Sequence, residues 1–196
     1  ADFLQNFLIG NLNAKGVLLG FNNRFGRKGM GNIQFLREMG DQLGITARQG
    51  PELWCCGQPL SSTLIRNAVS DGDLLLAERL LGRKFSIHGR VIHGKSFGRK
   101  LGFPTANIEV THTLLPPCGV YSAITRVSND YLPSAVFIGP DDLAKGGDNP
   151  NVESHIIGSS ADLYGKEIEI ILIEYLRSDK QFDSEADLIL AIKQDV

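Results

Sequence analysis

The sequence has few cysteines and no long hydrophobic run. Its three cysteines are Cys55, Cys56 and Cys118, and no two of them have the CxxC spacing of metal-binding or redox motifs. This usage excludes a paired disulfide framework and favours a reducing compartment, so we expect a cytoplasmic protein. The longest apolar runs, such as residues 168–173, are far too short to cross a bilayer. No charged and apolar leader segment opens the chain, so no membrane partner is expected.

The chain also lacks a strong net charge. Its 20 basic and 22 acidic residues give a formal net charge of −2 at pH 7, so nothing draws the whole molecule towards nucleic acid. Any site for an anionic ligand must therefore be local. At 196 residues, with 42% apolar and 21% charged residues, the chain has room for one large or two small globular domains.

The first 82 residues predict an α/β arrangement. Apolar residues at helical spacing predict helices over residues 2–12 and 33–43, and short apolar runs predict strands at 16–21, 45–48 and 53–56, the first of them buried and parallel. Ser61 and Asp73 are expected to cap two further helices, the second of which ends before Gly82. Trp54 is expected in the core. Because Ala1 is not Met and the first helix is already under way, we expect a fragment of a longer protein.

From residue 83 onwards the hydrophobic period becomes two. Phe85, Ile87 and Val91 alternate with polar residues, and further strand-like runs start near residues 120, 134, 152 and 167. Short strands at this spacing favour a closed antiparallel barrel. Residues 184–187 resemble a capping box and precede an apolar helical stripe, which predicts a C-terminal helix. We therefore expect a domain boundary between residues 82 and 83.

Residues 89–107 concentrate glycine and positive charge between two predicted strands. Glycines let backbone amides approach phosphate oxygens closely. Thr105 and Asn107 point the same way on a segment stiffened by proline, and their hydroxyl and amide oxygens are hard ligands suited to Mg²⁺. On composition alone, a glycine-rich hairpin with a solvated basic face is an equal alternative. The residues for which we predict nucleotide contact are Gly94, Lys95, Gly98, Arg99, Lys100, Gly102 and Pro104.

A candidate base lies in the strand at residues 152–157. Strand alternation turns Glu153 and His155 to the face opposite Val152 and Ser154. Phosphoryl transfer to an alcohol uses a group that accepts the hydroxyl proton, which is the role we assign to Glu153. On the pattern alone, a solvent-facing glutamate on a half-exposed strand is the more frequent occurrence.

Residues 98–107, GRKLGFPTAN, resemble the signature of riboflavin kinases, of which the Pro-Thr-Ala-Asn core is the most specific part. The Glu-x-His strand at Glu153 and the segment DLYG at residues 162–165 resemble the same family. The resemblance implies that Thr105 and Asn107 hold the Mg²⁺ of ATP and that Glu153 is the catalytic base. It also implies that Arg177 and Phe182, which lead into the C-terminal helix, border the flavin.

Ser62, Thr63 and Arg66 lie at a predicted helix N-terminus, where hydroxyls, amides and a cation can bind an anion. Such a serine or threonine is more often only a cap. The segment nevertheless resembles the second nucleotide motif of the FMN adenylyltransferase half of bifunctional bacterial FAD synthetases. Residues 20–29 resemble the flavin-side loop of that half, with candidate residues Asn22, Arg24, Phe25 and Gly26. The first, His-x-Gly-His type motif of that half has no counterpart here and is expected upstream.

This resemblance implies the C-terminal part of a Rossmann-like nucleotidyltransferase domain at residues 1–82, followed by a riboflavin-kinase-type antiparallel β-barrel with a C-terminal helix at 83–196. It implies ATP, riboflavin and FMN as substrates, Mg²⁺ as cofactor, and FAD formation in the intact protein. An alternative is a catalytically silent flavin- or nucleotide-binding sensor, which Asn23 and the segment 139–143 motivate. The joint presence of Thr105, Asn107 and Glu153 argues against it, because binding alone requires no base. The sequence does not specify the oligomeric state.

Overall fold

The structure is a computed structural model that describes residues 2–94, 97–110, 113–141, 150–159 and 161–196, with the backbone alone at residues 97, 141 and 150. The chain divides into two compact units, Ala1–Leu60 and Ser61–Val196. The two helices after Ser61 therefore belong to the same compact unit as the barrel. The change in hydrophobic period, by contrast, predicts the boundary at residue 83. The boundary between residues 82 and 83 stays a prediction.

The first unit has the predicted α/β character. Its elements are a π-helix (Phe3–Asn11), β1 (Gly16–Leu19), a short 3₁₀-helix (Arg27–Gly29), α1 (Ile33–Leu43), β2 (Thr46–Gln49), β3 (Trp54–Cys55) and β4 (Gln58–Pro59). β1 pairs in parallel with β2, while β3 and β4 form an antiparallel hairpin. The Asn32 side chain caps α1 by accepting a hydrogen bond from the Phe35 amide at 2.9 Å.

Two burial predictions for this unit are wrong. Leu18 in β1 is 74% exposed, although a buried strand was predicted, and Trp54 in β3 is 62% exposed, although it was predicted in the core. Both residues lie in two-stranded sheets, in which no third strand helps to enclose a side chain on both faces.

The second unit begins with α2 (Ser62–Ser70) and α3 (Leu74–Leu81). The predicted caps are confirmed, because Ser61 Oγ accepts a hydrogen bond from the Leu64 amide at 3.2 Å and Asp73 Oδ1 accepts one from the Leu76 amide at 2.9 Å. Val69 in α2 is buried, as the predicted apolar face requires.

The predicted antiparallel barrel with a C-terminal helix is confirmed. Its strands are β5 (Ser86–Ile92), β6 (Ala106–Glu109), β7 (Gly119–Val127), β8 (Asp130–Asp141), β9 (Pro150–Ile156) and β10 (Glu167–Arg177), with α4 (Phe97–Lys100) after β5 and α5 (Glu185–Asp195) after β10. They close in the order β10-β5-β6-β9-β8-β7. Inward-facing aliphatic side chains and the buried Tyr121 fill the interior.

β8 starts at Asp130, earlier than the start near residue 134 that the sequence pattern predicts. Pro133 obscures the pattern, because proline cannot donate a ladder hydrogen bond and usually argues against a strand. Here Pro133 lies opposite Ile124 of β7, beyond the last residue pair of β8 with β9, Ser134 and Ile156. In the part of the chain that the structure describes, no helix is long and apolar enough to span a bilayer.

Candidate active site

Glu153 lies on the outer face of the barrel. Its neighbours Val152 and Ser154 are 1% and 0% exposed in the interior, which confirms the predicted alternation along β9. In the strand register, Glu153 stands opposite Asn107 of β6 and Phe137 of β8. Residues directly opposite in antiparallel strands project from the same face, so these three side chains share the outer surface.

The Glu153 carboxylate accepts two side-chain hydrogen bonds. Thr105 Oγ1 donates to Oε2 at 2.8 Å, and Asn151 Nδ2 donates to Oε1 at 3.0 Å. Each carboxylate oxygen therefore has a partner, which fixes the orientation of the group. Asn151 was not predicted from the sequence. Its position two residues before Glu153, on the same face of the strand, is the signal that points to it.

Asn107 is 8% exposed and its amide is covered by the backbone at Gly94. A Cβ atom at Gly94 would collide with the Asn107 amide, so the chain can pass this closely only without a side chain there. Thr105 and Asn107 thus meet at Glu153, the first through a hydrogen bond and the second through strand pairing.

The loop before Thr105 contains α4, with Gly98 inside it, and turns at Gly102, which has φ 90°. The Leu101 amide donates to the Gly98 carbonyl at 3.1 Å and the Gly102 amide donates to the Arg99 carbonyl at 3.3 Å. These two amides serve the turn itself, so they do not point at a ligand in this conformation. Arg99 and Lys100 are exposed, and the predicted Lys95 lies outside the described residues.

Pro104 attaches this loop to the barrel. Its carbonyl oxygen lies 2.8 Å from Nδ1 of His155, the next residue of β9 on the outer face after Glu153. Phe103 contacts the same imidazole edge-on, with 5.6 Å between the ring centroids. Together with the Thr105 hydrogen bond, these contacts hold the loop against β9.

A cavity of about 530 Å³, which we call the turn cavity, opens on one side of Thr105. Arg99 and Pro104 line it from the loop, and Asp162 and Tyr164 line it from the turn before β10. The Tyr164 ring stacks on His93, with 3.8 Å between the centroids. The turn cavity therefore combines a cation from the basic loop with an aromatic surface.

A second cavity of about 340 Å³, which we call the helix cavity, lies between the loop and α5. Phe137, Phe182 and Leu188 contribute apolar side chains to its lining, and Glu153 lines it as well. Gly98 also lines this cavity. Thr105 lines both cavities.

Arg177 and Phe182, predicted to border the flavin, both line the helix cavity. The Arg177 guanidinium donates to Asp195 Oδ2 at 2.7 Å through Nη2 and to Oδ1 at 3.0 Å through Nε. It also lies over the Phe182 ring, 5.6 Å from the centroid. Arg177 thus joins the end of β10 to the end of α5, and much of its hydrogen-bonding capacity is used within the protein.

Ser62 and Thr63 lie on the first turn of α2 and Arg66 lies one turn further, all three exposed. The neighbouring Ser61 provides the cap. Because Ser61 satisfies an end amide, the hydroxyls of Ser62 and Thr63 are not used as the cap. The structure therefore places Ser62 and Thr63 on the exposed first turn of α2 and Arg66 one turn later.

The predicted flavin-side loop of the first unit is built around Phe25. Its backbone forms a two-way bridge with Gly31, and its ring lies 6.1 Å from the rings of both Phe3 and Phe35. Phe25 thus anchors the loop. The other predicted residues of this loop, all exposed, are Asn22, Arg24 and Gly26.

Two pKa shifts occur away from Glu153. Burial is the main cause that raises the pKa of Tyr121 from 10.0 to about 12, and its hydroxyl donates to the Pro117 carbonyl at 2.5 Å. Partial burial alone would raise the pKa of Glu169, but a hydrogen bond from Ser86 and the charges of His88 and Arg126 outweigh it and lower that pKa.

Two family models match the chain, one in each part. A riboflavin kinase family model matches residues 81–196, and an FAD synthetase family model matches residues 1–64. A crystal structure described as a macrolide-efflux protein from Streptococcus pneumoniae aligns with a TM-score of 0.77 and 28% identity, over 95% of this chain and 60% of that one.

Two curated relatives are bifunctional riboflavin kinase/FMN adenylyltransferases. The protein from Pseudomonas fluorescens is 33% identical over 196 residues, which are 100% of this chain and 63% of that protein. The protein from Escherichia coli K12 is 33% identical over 195 residues, which are 99% of this chain and 62% of that protein. This chain thus spans slightly less than two thirds of the length of these relatives. Because the riboflavin kinase model matches more than half of its residues, the chain belongs to the riboflavin kinase family.

Proposed function

We propose that this chain phosphorylates riboflavin at its ribityl 5′-hydroxyl with ATP to give FMN, and that the intact protein also adenylylates FMN to FAD. The observation that carries the first step is the position of Thr105, which lines both cavities while its hydroxyl donates a hydrogen bond to Glu153, a residue of the helix cavity lining. Two substrates that react with each other must be bound next to each other.

The chemistry of the cavities assigns one substrate to each. The aromatic and aliphatic wall of the helix cavity, with Phe137 and Phe182, suits the planar flavin ring and leaves the ribityl chain to reach Glu153. The turn cavity, with Arg99 at its loop side and Tyr164 opposite, suits a nucleotide with its phosphates near the basic loop.

In the reaction that we propose, Glu153 accepts the proton of the ribityl hydroxyl as that oxygen attacks the terminal phosphorus. The hydrogen bonds from Thr105 and Asn151 keep the carboxylate in a single orientation, so little reorganisation precedes the proton transfer.

The residues present fit a magnesium ion. A hydroxyl has one donor and two lone pairs, so Thr105 can donate to Glu153 and still offer its oxygen to a cation, while the Asn107 amide provides a second hard oxygen. Magnesium is usually bound through one or two protein oxygens together with substrate phosphates. When bound, the ion neutralises charge on the transferring phosphoryl group.

The adenylylation step and the cytoplasmic location stay predictions. Ser62 and Thr63, exposed on the first turn of α2, and Arg66, exposed one turn later, support a phosphate contact. The sensor alternative gains no support from the described part of the chain. Of the five residues in the segment 139–143 that motivates it, two lie outside that part and one is described by its backbone only.

The decisive experiment incubates the chain with riboflavin, ATP and Mg²⁺ and separates riboflavin, FMN and FAD by fluorescence-detected chromatography. We expect FMN from the wild-type chain and a reduction of at least about 100-fold in its rate of formation for Glu153→Gln. Glu167→Gln, an exposed carboxylate at the start of β10, is the matched control and should leave the rate unchanged. Flavin binding by calorimetry without FMN formation would favour the sensor and reject the kinase.

A further inference from the structure

Two adjacent thiols lie at the end of the β3–β4 hairpin in the first unit. Cys55 closes β3 and pairs with Gln58, and the two residues between them, Cys56 and Gly57, have φ values of 53° and 79°. Positive φ at both central residues is the feature of a two-residue type I′ hairpin turn. The Sγ atoms of Cys55 and Cys56 are 3.5 Å apart, and Cys56 is exposed.

Turn propensity does not explain a cysteine at position 56. The first central position of this turn favours asparagine, aspartate or glycine, because other residues pay a steric cost for positive φ. Hydrophobic packing does not explain it either, because the side chain is exposed on a two-stranded ribbon. The remaining explanation for a cysteine at position 56 is its thiol group, which lies beside the thiol group of Cys55.

The spacing of the two thiols suits one bridging atom better than a direct sulfur bond. For sulfur atoms 3.5 Å apart and a bond of about 2.3 Å from each sulfur to a shared centre, the angle at that centre is about 99°. This lies between a right angle and the tetrahedral value. A disulfide prefers Cα atoms about 4.4–6.8 Å apart, whereas adjacent residues hold them about 3.8 Å apart.

The surroundings restrict the kind of centre. Among the residues that the structure describes, no group of three or more histidine, cysteine, aspartate or glutamate side chains is arranged to hold a metal ion. Zinc takes four ligands in structural sites, and the described residues do not supply such a set. A thiophilic centre that needs only two protein sulfurs is better matched.

We propose that Cys55 and Cys56 form a dithiol site for a single thiophilic centre with two open positions, typified by a trivalent arsenical that carries one organic group. With an arsenoxide, two S–H bonds and the arsenic–oxygen double bond break, two As–S bonds form, and the oxygen leaves as water with both protons. No oxidation state changes, so no further reactant is required.

The test titrates the reduced, folded chain with phenylarsine oxide and follows the adduct by intact mass spectrometry. We expect one phenylarsenic group per chain, retained in excess 2-mercaptoethanol and released by dithiothreitol, because only a second dithiol offers an equal chelate. Cys55→Ser and Cys56→Asn should each weaken retention at least about 100-fold, since loss of one thiol removes the intramolecular second bond.

Two features keep the outcome interpretable. Cys56→Asn places a residue that the turn favours, so the hairpin is expected to fold, and far-UV circular dichroism checks this. Cys118 is an exposed single thiol, so Cys118→Ser is the matched control and should retain the adduct fully. Retention within about threefold of wild type in Cys55→Ser or Cys56→Asn, or its loss in Cys118→Ser, would overturn the proposal.

Discussion

The ion pair between Arg177 and Asp195 is predicted to control flavin affinity by fixing α5. The side chains of Arg177 and Asp195 are 21% and 9% exposed, and they share three contacts of 2.7 to 3.2 Å. Asp195→Asn removes the negative charge and leaves a partly buried guanidinium without its counterion. Breaking a fully buried pair costs about 3–5 kcal/mol and an exposed pair up to about 1 kcal/mol, so we expect about 2 kcal/mol here.

Release of the end of α5 is the least costly way to return the unpaired Arg177 guanidinium to water. Leu188 and Ile192 of α5 form one wall of the helix cavity, so its release opens that cavity. Because 1.4 kcal/mol corresponds to a factor of ten, a loss of about 2 kcal/mol raises the riboflavin KM by up to about 30-fold. The ATP KM should change less than about twofold, because α5 does not contribute to the lining of the turn cavity.

The assay measures both KM values by FMN formation, together with urea unfolding. Glu185→Gln, an exposed carboxylate on the first turn of α5, is the control and should change neither KM. The double variant Arg177→Met, Asp195→Leu removes both charges and should recover most of the stability lost in Asp195→Asn. Equal increases in both KM values, or an unchanged riboflavin KM despite lost stability, would refute the assignment of the helix cavity to flavin.

Three further predictions follow from single residues. Glu153→Gln should lower kcat by about 10²–10⁴, because the amide cannot accept the hydroxyl proton. Its oxygen still accepts from Thr105, but its NH2 faces the Asn151 donor, so a loss of about 1 kcal/mol in unfolding free energy is expected. A kcat within threefold of wild type would exclude a base role. Gly94→Ala should lower kcat at least about tenfold, since its Cβ displaces Asn107, whereas Gly57→Ala in the β3–β4 hairpin should not. Burial raises the pKa of Tyr121 to about 12, so above pH 10 the folded state keeps a proton that the unfolded state loses. The free energy of unfolding should therefore fall between pH 10 and 12, by up to about 3 kcal/mol. Urea unfolding of wild type and Tyr121→Phe should show this slope only in the wild type.

Local rules predicted the secondary structure well. Ser61 and Asp73 cap helices because their side-chain oxygens accept amide hydrogens three residues ahead, which requires no tertiary contact. The period-two pattern identified barrel strands because the alternation of inward and outward side chains is visible within each segment. The errors at Leu18 and Trp54 concern burial, which depends on what covers a sheet and not on the sheet's own sequence.

Only part of the candidate active site could be predicted from local sequence patterns. Thr105 and Glu153 are 48 residues apart and meet because β6 pairs with β9, which skips the two strands between them in the sequence. No periodicity specifies that pairing, so the resemblance to riboflavin kinases was needed to connect the two residues. The Asn151 hydrogen bond and the Asp195 counterion of Arg177 belong to no motif, and only the tertiary structure reveals them.

The outward position of Glu153 depends on polar contacts inside the barrel. Thr125 Oγ1 lies 2.8 Å from Ser134 Oγ and 2.9 Å from Ser154 Oγ, and all three residues are buried. A slip of β9 by one residue would turn Glu153 inward, where an unpaired charge is prohibitively costly.

A slip of two residues would restore the alternation but separate Ser154 from Thr125, which leaves buried hydroxyls unpaired at about 1–3 kcal/mol each. Aliphatic neighbours alone would tolerate that second slip, because one branched side chain replaces another at little cost. The three hydroxyls therefore specify the single register in which Glu153 faces Asn107 and meets Thr105. In this barrel, the buried polar contacts of the core determine where the proposed base stands on the surface.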